Sequence, residues 1–115
     1  MKMVVAYIHP FMAEKVIKAL QEIPDVPGAS LVEVRGFGRG RGKREKEGIV
    51  TEMAKFGTLR KMRVETIIPD HIEDRVFQTI RDAAYTGSPG DGKIYVMPIE
   101  RAVRIRTGEQ GEAGL

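Results

Sequence analysis

Two glycine-rich stretches contain the residues whose types and spacing best fit phosphate chemistry. The stretch at 87–94, GSPGDGKI, has the G-x-x-x-x-G-K spacing of a Walker A loop. Ile94 stands where that loop needs Ser or Thr for magnesium, and strand-like residues follow where a helix should begin. These differences exclude a P-loop NTPase. The backbone N–H groups of residues 90–92 can still bind an anion together with Lys93, and a plain tight turn is the alternative.

The second stretch, GFGRGRGKREKEG at 36–48, alternates glycine with other residues and then carries mixed charges. Its spacing matches neither a Rossmann nor a Walker A motif. Between Arg35 and Arg63 the chain has ten Lys or Arg against three Glu, whereas the rest of the chain is net acidic. A concentrated basic segment indicates an anionic partner, such as phosphate, nucleic acid, lipid head groups or an acidic protein surface. A solvated loop kept soluble by its charges is the alternative.

Apolar periodicity predicts the elements that must position these stretches. Strands are predicted at 1–10, 30–38, 60–69, 93–99 and 101–109, and helices at 11–23 and 70–84. Asp70, with Glu73 three residues later, is predicted to cap the second helix. The order predicts one α+β domain, a ferredoxin-like split βαβ sandwich with both helices on one sheet face. Its strands are more apolar than one wet face requires, so the other face is expected to pack against further copies.

Composition excludes several classes of protein. The chain of 115 residues is long enough for one domain with a modest core. It has no cysteine, so disulfides and thiolate metal sites are excluded. No run approaches the ~20 apolar residues of a membrane span, and no signal peptide is recognisable, so a cytoplasmic location is expected. His9 and His71 lack metal-ligand spacing and are predicted to be surface or turn histidines; no metal site is predicted.

From Met1 to Glu109 the sequence resembles the PII signal transduction proteins, the nitrogen-regulatory family. The matching motifs are HPF at 9–11, EVRGFGRGRG at 33–42, IIPD at 67–70, TGSPGDGKIYV at 86–96 and RAVRIRTGE at 101–109. The resemblance implies a cytoplasmic homotrimer that binds ATP or ADP between subunits, with Mg²⁺ accompanying ATP. It implies a regulator rather than an enzyme. A T-loop, at about 38–60 here, would contact a protein partner such as a membrane transporter, and residues 107–115 would form a short tail.

The resemblance also implies which residues bind the nucleotide. By position they are Ser30, Gly36, Phe37, Gly38, Arg39, Ile67, Gly87, Gly90, Asp91, Gly92, Lys93, Arg104 and Arg106. Arg104 and Arg106 would reach the phosphates from the neighbouring subunit. On a strand they would project to one face, where their like charges call for an anion; two solvated arginines are the alternative. From the residues alone, Phe37 is predicted to anchor the core at a strand end.

Partner and effector contacts follow from the same resemblance. Lys61 matches the family lysine that contacts 2-oxoglutarate, but Gly40 replaces a Gln that supplies a magnesium ligand. A weak response to 2-oxoglutarate is therefore expected. The loop is expected to be mobile without a partner, and its docking residues are expected to be Arg41, Lys43, Arg44 and Lys46.

Two other functions stay open at this point. One is a nucleic-acid-binding module that uses the basic Gly/Arg loop as an arm. The scarcity of aromatic residues near that arm disfavours single-strand stacking. The other is a slow ATPase, for which no catalytic base is apparent in the sequence.

Overall fold

The computed structural model of the chain describes residues 1–38 and 58–115. These residues form an antiparallel sheet of four strands in the order β2-β3-β1-β4, with two α-helices on one face. The elements in chain order are β1 Lys2–Ile8, α1 Ala13–Gln21, β2 Ser30–Gly36, β3 Leu59–Ile68, α2 Glu73–Ala84 and β4 Lys93–Pro98. The prediction of an α+β, ferredoxin-like arrangement is confirmed for the single chain.

The hydrophobic core lies between the sheet and the helices. Alternate residues of the central strand β1 face the helices, because side chains of a strand point to opposite faces in turn. The helices bury residues that recur every three or four positions. The fully buried large side chains are Val4, Ile8, Val16, Leu20, Val64, Ile68, Val76 and Ile80.

The predicted cap at Asp70 is wrong. Each α-helix begins after a short 3-10 turn, Pro10–Met12 or Asp70–Ile72, and within the described residues neither helix has a side-chain cap. The Asp70 carboxylate instead accepts a hydrogen bond from the Met1 ammonium group, at 2.8 Å. This hydrogen bond lowers the pKa of Asp70.

The predicted fifth strand is also wrong. In residues 101–109 the described chain has one β-bridge, from Val103 to Gln110, and then reverses direction. The Arg104 N–H donates to the Glu109 carbonyl at 2.9 Å, and the Gly108 N–H donates to the Arg104 carbonyl at 2.8 Å. The expected strand alternation of the two arginines therefore does not apply.

The sheet face opposite the helices, called the open face below, carries large apolar side chains. Strand register places Met3 of β1 beside Ile67 of β3 and Met97 of β4 on this face. Tyr7 and Tyr95 lie further along it and meet edge to face, with ring centroids 6.4 Å apart. Ile67, Met97 and Tyr95 are 37, 41 and 48 % exposed. The open face of one chain therefore exposes large apolar side chains beside the ion pair of Arg63 with Glu65, at 3.0 Å.

Candidate functional site

Strand register defines two ends of the sheet. At the turn end, β1 and β2 finish while β3 and β4 begin; at the terminal end, β1 begins and β4 finishes. Both chain termini lie at the terminal end: Ile99 N donates to Met1 O at 3.0 Å, and Leu115 lines a groove with Pro69. Lys61 at the turn end and Ile67 are six residue steps apart along β3, which makes about 20 Å.

The sequence-predicted site residues fall into two groups at these two ends. The turn-end group is Gly36, Phe37, Gly38, Lys61, Gly87, Gly90, Asp91, Gly92 and Lys93. The terminal-end group is Ser30, Ile67, Arg104 and Arg106. Arg39, Gly40 and the predicted docking residues Arg41, Lys43, Arg44 and Lys46 lie outside the described residues. One chain therefore does not bring the two groups together.

Residues 86–92, called the glycine turn below, join α2 to β4 and are organised by Asp91. The Asp91 carboxylate accepts hydrogen bonds from the backbone N–H groups of Thr86 and Gly87, at 2.8 and 2.9 Å, and from the Thr86 hydroxyl. Desolvation alone would raise the pKa of Asp91, but these hydrogen bonds outweigh it, and the pKa is lowered. The Asp91 carboxylate is thus a negative charge that belongs to the glycine turn itself, and it is already the acceptor for the N–H groups of Thr86 and Gly87.

The rest of the glycine turn packs its backbone directly on the end of β1. A Cβ on Gly92 would lie 1.6 Å from the Tyr7 carbonyl oxygen, and Gly92 has a φ of 100°. A Cβ on Gly90 would lie 2.9 Å from His9 Cε1. Only glycine fits at position 92, where the neighbouring atom belongs to the backbone, whereas at Gly90 the neighbour is the end of the His9 side chain. The N–H groups of Gly90 and Asp91 already donate to the Ser88 hydroxyl oxygen and carbonyl oxygen, at 3.3 and 3.1 Å, so an anion bound here would compete with these acceptors.

Two titratable bases lie against the glycine turn. Lys61 Nζ donates to the Gly90 carbonyl oxygen, and burial lowers the pKa of Lys61 despite the opposing charge of Asp91. His9 Nε2 lies 3.2 Å from Asp91 Oδ1, and the His9 ring stacks on Phe11 with centroids 4.8 Å apart. Burial, followed by the charge of Lys61, lowers the pKa of His9 although Asp91 opposes the change.

His9 lies against the candidate site, which the sequence analysis did not predict. It occupies the turn after β1, as predicted, but its side chain is only 18 % exposed and contacts the glycine turn. The pairing of β1 with β4 causes this contact, because Tyr7 lies opposite Lys93. No local sequence signal could have shown it.

Lys93 and Phe37 are both exposed at the turn end. Register places Lys93 opposite Tyr7 on the open face, and within residues 1–38 and 58–115 it has no ion-pair partner. Phe37 is 64 % exposed, so the prediction that it anchors the core is wrong.

At the terminal end, Arg104 is held by the chain's own last residues. Its guanidinium group donates to Glu109 Oε1 at 3.2 Å and to the main-chain oxygen of Leu115. Arg106 is exposed and has no ion-pair partner in the part of the chain that the structure describes. Ser30 and Ile67 lie on the open face nearby, where Ser30 pairs with Glu65 and Ile67 with Met3. This group offers two cations and an apolar surface.

The described residues form neither a metal-binding cluster nor a membrane-spanning helix. Among them, no three His, Asp or Glu side chains are grouped so as to hold a metal ion. No helix that they form has the length and apolar character needed to cross a membrane.

Comparisons with known proteins cover nearly the whole chain. A family model described as "Nitrogen regulatory protein P-II" matches residues 1–109. The chain is 45 % identical to the nitrogen regulatory protein P-II of Rhodobacter capsulatus and 42 % identical to that of Haemophilus influenzae, in both cases over 97 % of each chain. It is 41 % identical to nitrogen regulatory protein P-II 1 of Escherichia coli K12 over the full length of both. Both groups of candidate site residues fall within the matched length.

Proposed function

Because the chain belongs to the P-II nitrogen regulatory family, as its motifs predicted, we propose that it is a signal transduction protein that senses adenine nucleotides. In this proposal ATP or ADP binds between the subunits of a closed homotrimer in the cytoplasm. The bound nucleotide determines how the loop at about 38–60 engages a protein partner, such as a transporter, an enzyme or a regulator. The protein acts by binding rather than by catalysis.

The separation of the two residue groups is the observation that carries the proposal. Lys93 begins β4 at the turn end, and the strand from Lys93 to Pro98 is five residue steps, about 17 Å, long. Arg104 lies beyond its far end, bonded to Leu115 at the terminal end, so we infer that one triphosphate cannot reach both groups of one chain. A neighbouring copy that sets its terminal end against the turn end of the first would complete the site. Cyclic symmetry then repeats this arrangement at every boundary of a closed ring.

The open face supports the same assembly. Ile67, Tyr95 and Met97 leave a substantial part of their apolar surface in water in the single chain. Contiguous exposed apolar surface of this kind marks an interaction site. Three copies that pack their open faces together would bury it, and the hydrophobic effect would favour the ring by roughly 25 cal/mol for each Å² removed from water.

The residues present fit a nucleotide. A phosphate at residues 90–92 would take over the N–H groups that Gly90 and Asp91 now donate to Ser88, and Lys93 adds a point charge. From the neighbouring copy, Arg104 and Arg106 supply two guanidinium groups, with Arg104 exchanging its Glu109 contact for phosphate. Ile67 offers apolar surface for a base. When bound with ATP, Mg²⁺ would neutralise part of the phosphate charge.

The proposal assigns 2-oxoglutarate a small effect. Lys61, which the family resemblance implicates in that contact, already donates to the Gly90 carbonyl. Gly40 has no carboxamide to offer a magnesium ion. We expect ATP affinity with Mg²⁺ to be nearly the same with and without 2-oxoglutarate, and a large gain would show that another group replaces the carboxamide.

Calorimetric titration of ATP and ADP tests the proposal. Lys93→Ala removes a charge-assisted contact worth roughly 1.5–3 kcal/mol, so affinity should fall about ten- to hundredfold. Lys15→Ala is the matched control, because Lys15 is an exposed lysine on the outer surface of α1. Absence of binding to the unaltered protein, or equal affinity in Lys93→Ala, would refute the assignment.

A further inference from the structure

We propose that His9 is a further residue of the phosphate site, and that anion binding at the glycine turn is coupled to protonation of its imidazole ring. This inference rests on the proposed function and adds to it a control of the same site by pH. The anion it concerns is the phosphate chain of an adenine nucleotide.

The glycine turn rests against the His9 ring. His9 Cε1 lies 2.9 Å from the point that a Cβ on Gly90 would occupy, and Lys61 Nζ lies 3.6 Å from the same point. Phe11 stacks on the ring with an interplanar angle of 16° and shields one of its faces. An anion on the backbone of residues 90–92 would therefore have His9 as a close, partly desolvated neighbour.

The ring nitrogen beside the glycine turn is not satisfied in the single chain. His9 Nε2 is buried and has no hydrogen-bond partner among the described residues, although Asp91 Oδ1 lies 3.2 Å away. The Asp91 oxygens already accept hydrogen bonds from Thr86 and Gly87. A protonated His9 therefore has the Asp91 carboxylate beside it without a well-aligned hydrogen bond, and an anion bound at the glycine turn would add to that stabilisation.

Two charged groups among the described residues face the ring: Lys61 from β3 and Asp91 from the glycine turn. Burial and the Lys61 charge hold the pKa of His9 below its usual value of 6.5, and Asp91 opposes them. A bound phosphate would add negative charge near the ring, and this charge would raise the pKa of His9 as Asp91 does. We therefore expect the pKa of His9 to rise by about one unit when nucleotide binds.

Linkage gives the sign of the consequence. Because His9 takes up a proton when the anion binds, affinity rises as pH falls through the range between the pKa values of the bound and free states. Above that range His9 is neutral in both the free and the bound state, so it contributes no pH dependence to the affinity. A rise of about one pKa unit corresponds to about tenfold tighter binding by the protonated than by the neutral form.

A side-chain NMR titration tests the inference directly, because the chain has only two histidines. Both pKa values are measured with and without saturating ADP. His71 gives the second signal; its side chain is 64 % exposed, pairs with Asp25 at 3.1 Å and lies at the terminal end of the sheet. His71→Gln assigns the two signals. We expect the pKa of His9 to rise by about one unit when ADP is bound.

A second variant, His9→Gln, distinguishes the pH dependence caused by the His9 ring from that caused by protonation of the nucleotide itself. The ratio of ADP affinities of the unaltered protein and His9→Gln should rise about tenfold as pH falls from about 8 to about 5. If ADP binds while the pKa of His9 stays constant or falls, the inference is overturned and the proposed function stands. If ADP does not bind at all, both are overturned.

Discussion

Replacing Gly92 by alanine tests whether the glycine turn has the close backbone approach on which the proposed phosphate site depends. The added Cβ would lie 1.6 Å from the Tyr7 carbonyl oxygen, at a backbone φ of 100°. Side-chain rotation cannot relieve this overlap, because the atom encountered belongs to the backbone of the central strand β1. The strained backbone alone costs about 1–3 kcal/mol, and separating the start of β4 from β1 adds to it, so we expect a loss of about 3–5 kcal/mol in unfolding free energy.

Urea denaturation at a fixed protein concentration measures this loss; the concentration is fixed because assembly would contribute to stability. Gly28→Ala is the matched control, since a Cβ there meets nothing within 4 Å and its φ is not positive. Its free energy of unfolding should change by no more than about 0.5 kcal/mol. A loss below about 1 kcal/mol in Gly92→Ala would refute the packing of the glycine turn on β1.

Two further predictions concern assembly and pH. Met97→Lys places a charge on the open face and should reduce the mass measured by light scattering from trimer to monomer, whereas Phe77→Lys on α2 should leave it unchanged; an unchanged mass in Met97→Lys would exclude the open face as the interface. Asp91→Asn should lower the unfolding free energy at pH 7 by about 1–2 kcal/mol, because an amide cannot accept all three hydrogen bonds. Since the pKa of Asp91 is lowered on folding, the carboxylate's advantage is present above 3.8 and is lost as pH falls through the folded-state pKa. An equal difference in unfolding free energy between the unaltered protein and Asp91→Asn at about pH 2 and at pH 7 would contradict this reasoning.

Local sequence patterns were sufficient to predict the helices and strands that bury a regular stripe of apolar residues. Val76 and Ile80 are separated by one helical turn and are both fully buried. The same reasoning failed where apolar residues alternate without a partner strand. Val103 and Ile105 predicted a strand, but they are 56 and 97 % exposed in the single chain. Alternating apolar residues indicate which side chains can be buried together. A strand forms only where a neighbouring strand supplies the backbone hydrogen bonds.

Interactions between distant residues could not be predicted from local patterns. Asp70 and Glu73 have the spacing of a cap, yet the partner of Asp70 is Met1, at the other end of the chain. The glycine motif predicted an anion-binding backbone or a tight turn at residues 90–92, but neither the approach of Gly92 to Tyr7 nor the position of His9 beside the turn. Each contact depends on how strands pair, and strand register is a property of the whole fold.

The central claim is that each nucleotide site is shared by two subunits, and mixing two defective chains tests it most directly. Lys93→Ala damages the turn-end half, and Arg106→Ala damages the terminal-end half. Arg106 is chosen because it has no ion-pair partner within the described residues, so its loss leaves the tail contacts of Arg104 intact. Each variant alone should bind ATP weakly at all of its sites.

In a cyclic trimer that contains both variants, one boundary in about three combines Lys93 of one chain with Arg106 of the next. Calorimetry on chains unfolded together and refolded, with mixing verified by mass spectrometry, should therefore reveal a fraction of sites with restored affinity for ATP. Mixed trimers in which every site stays as weak as in the separate variants would contradict a site shared between subunits.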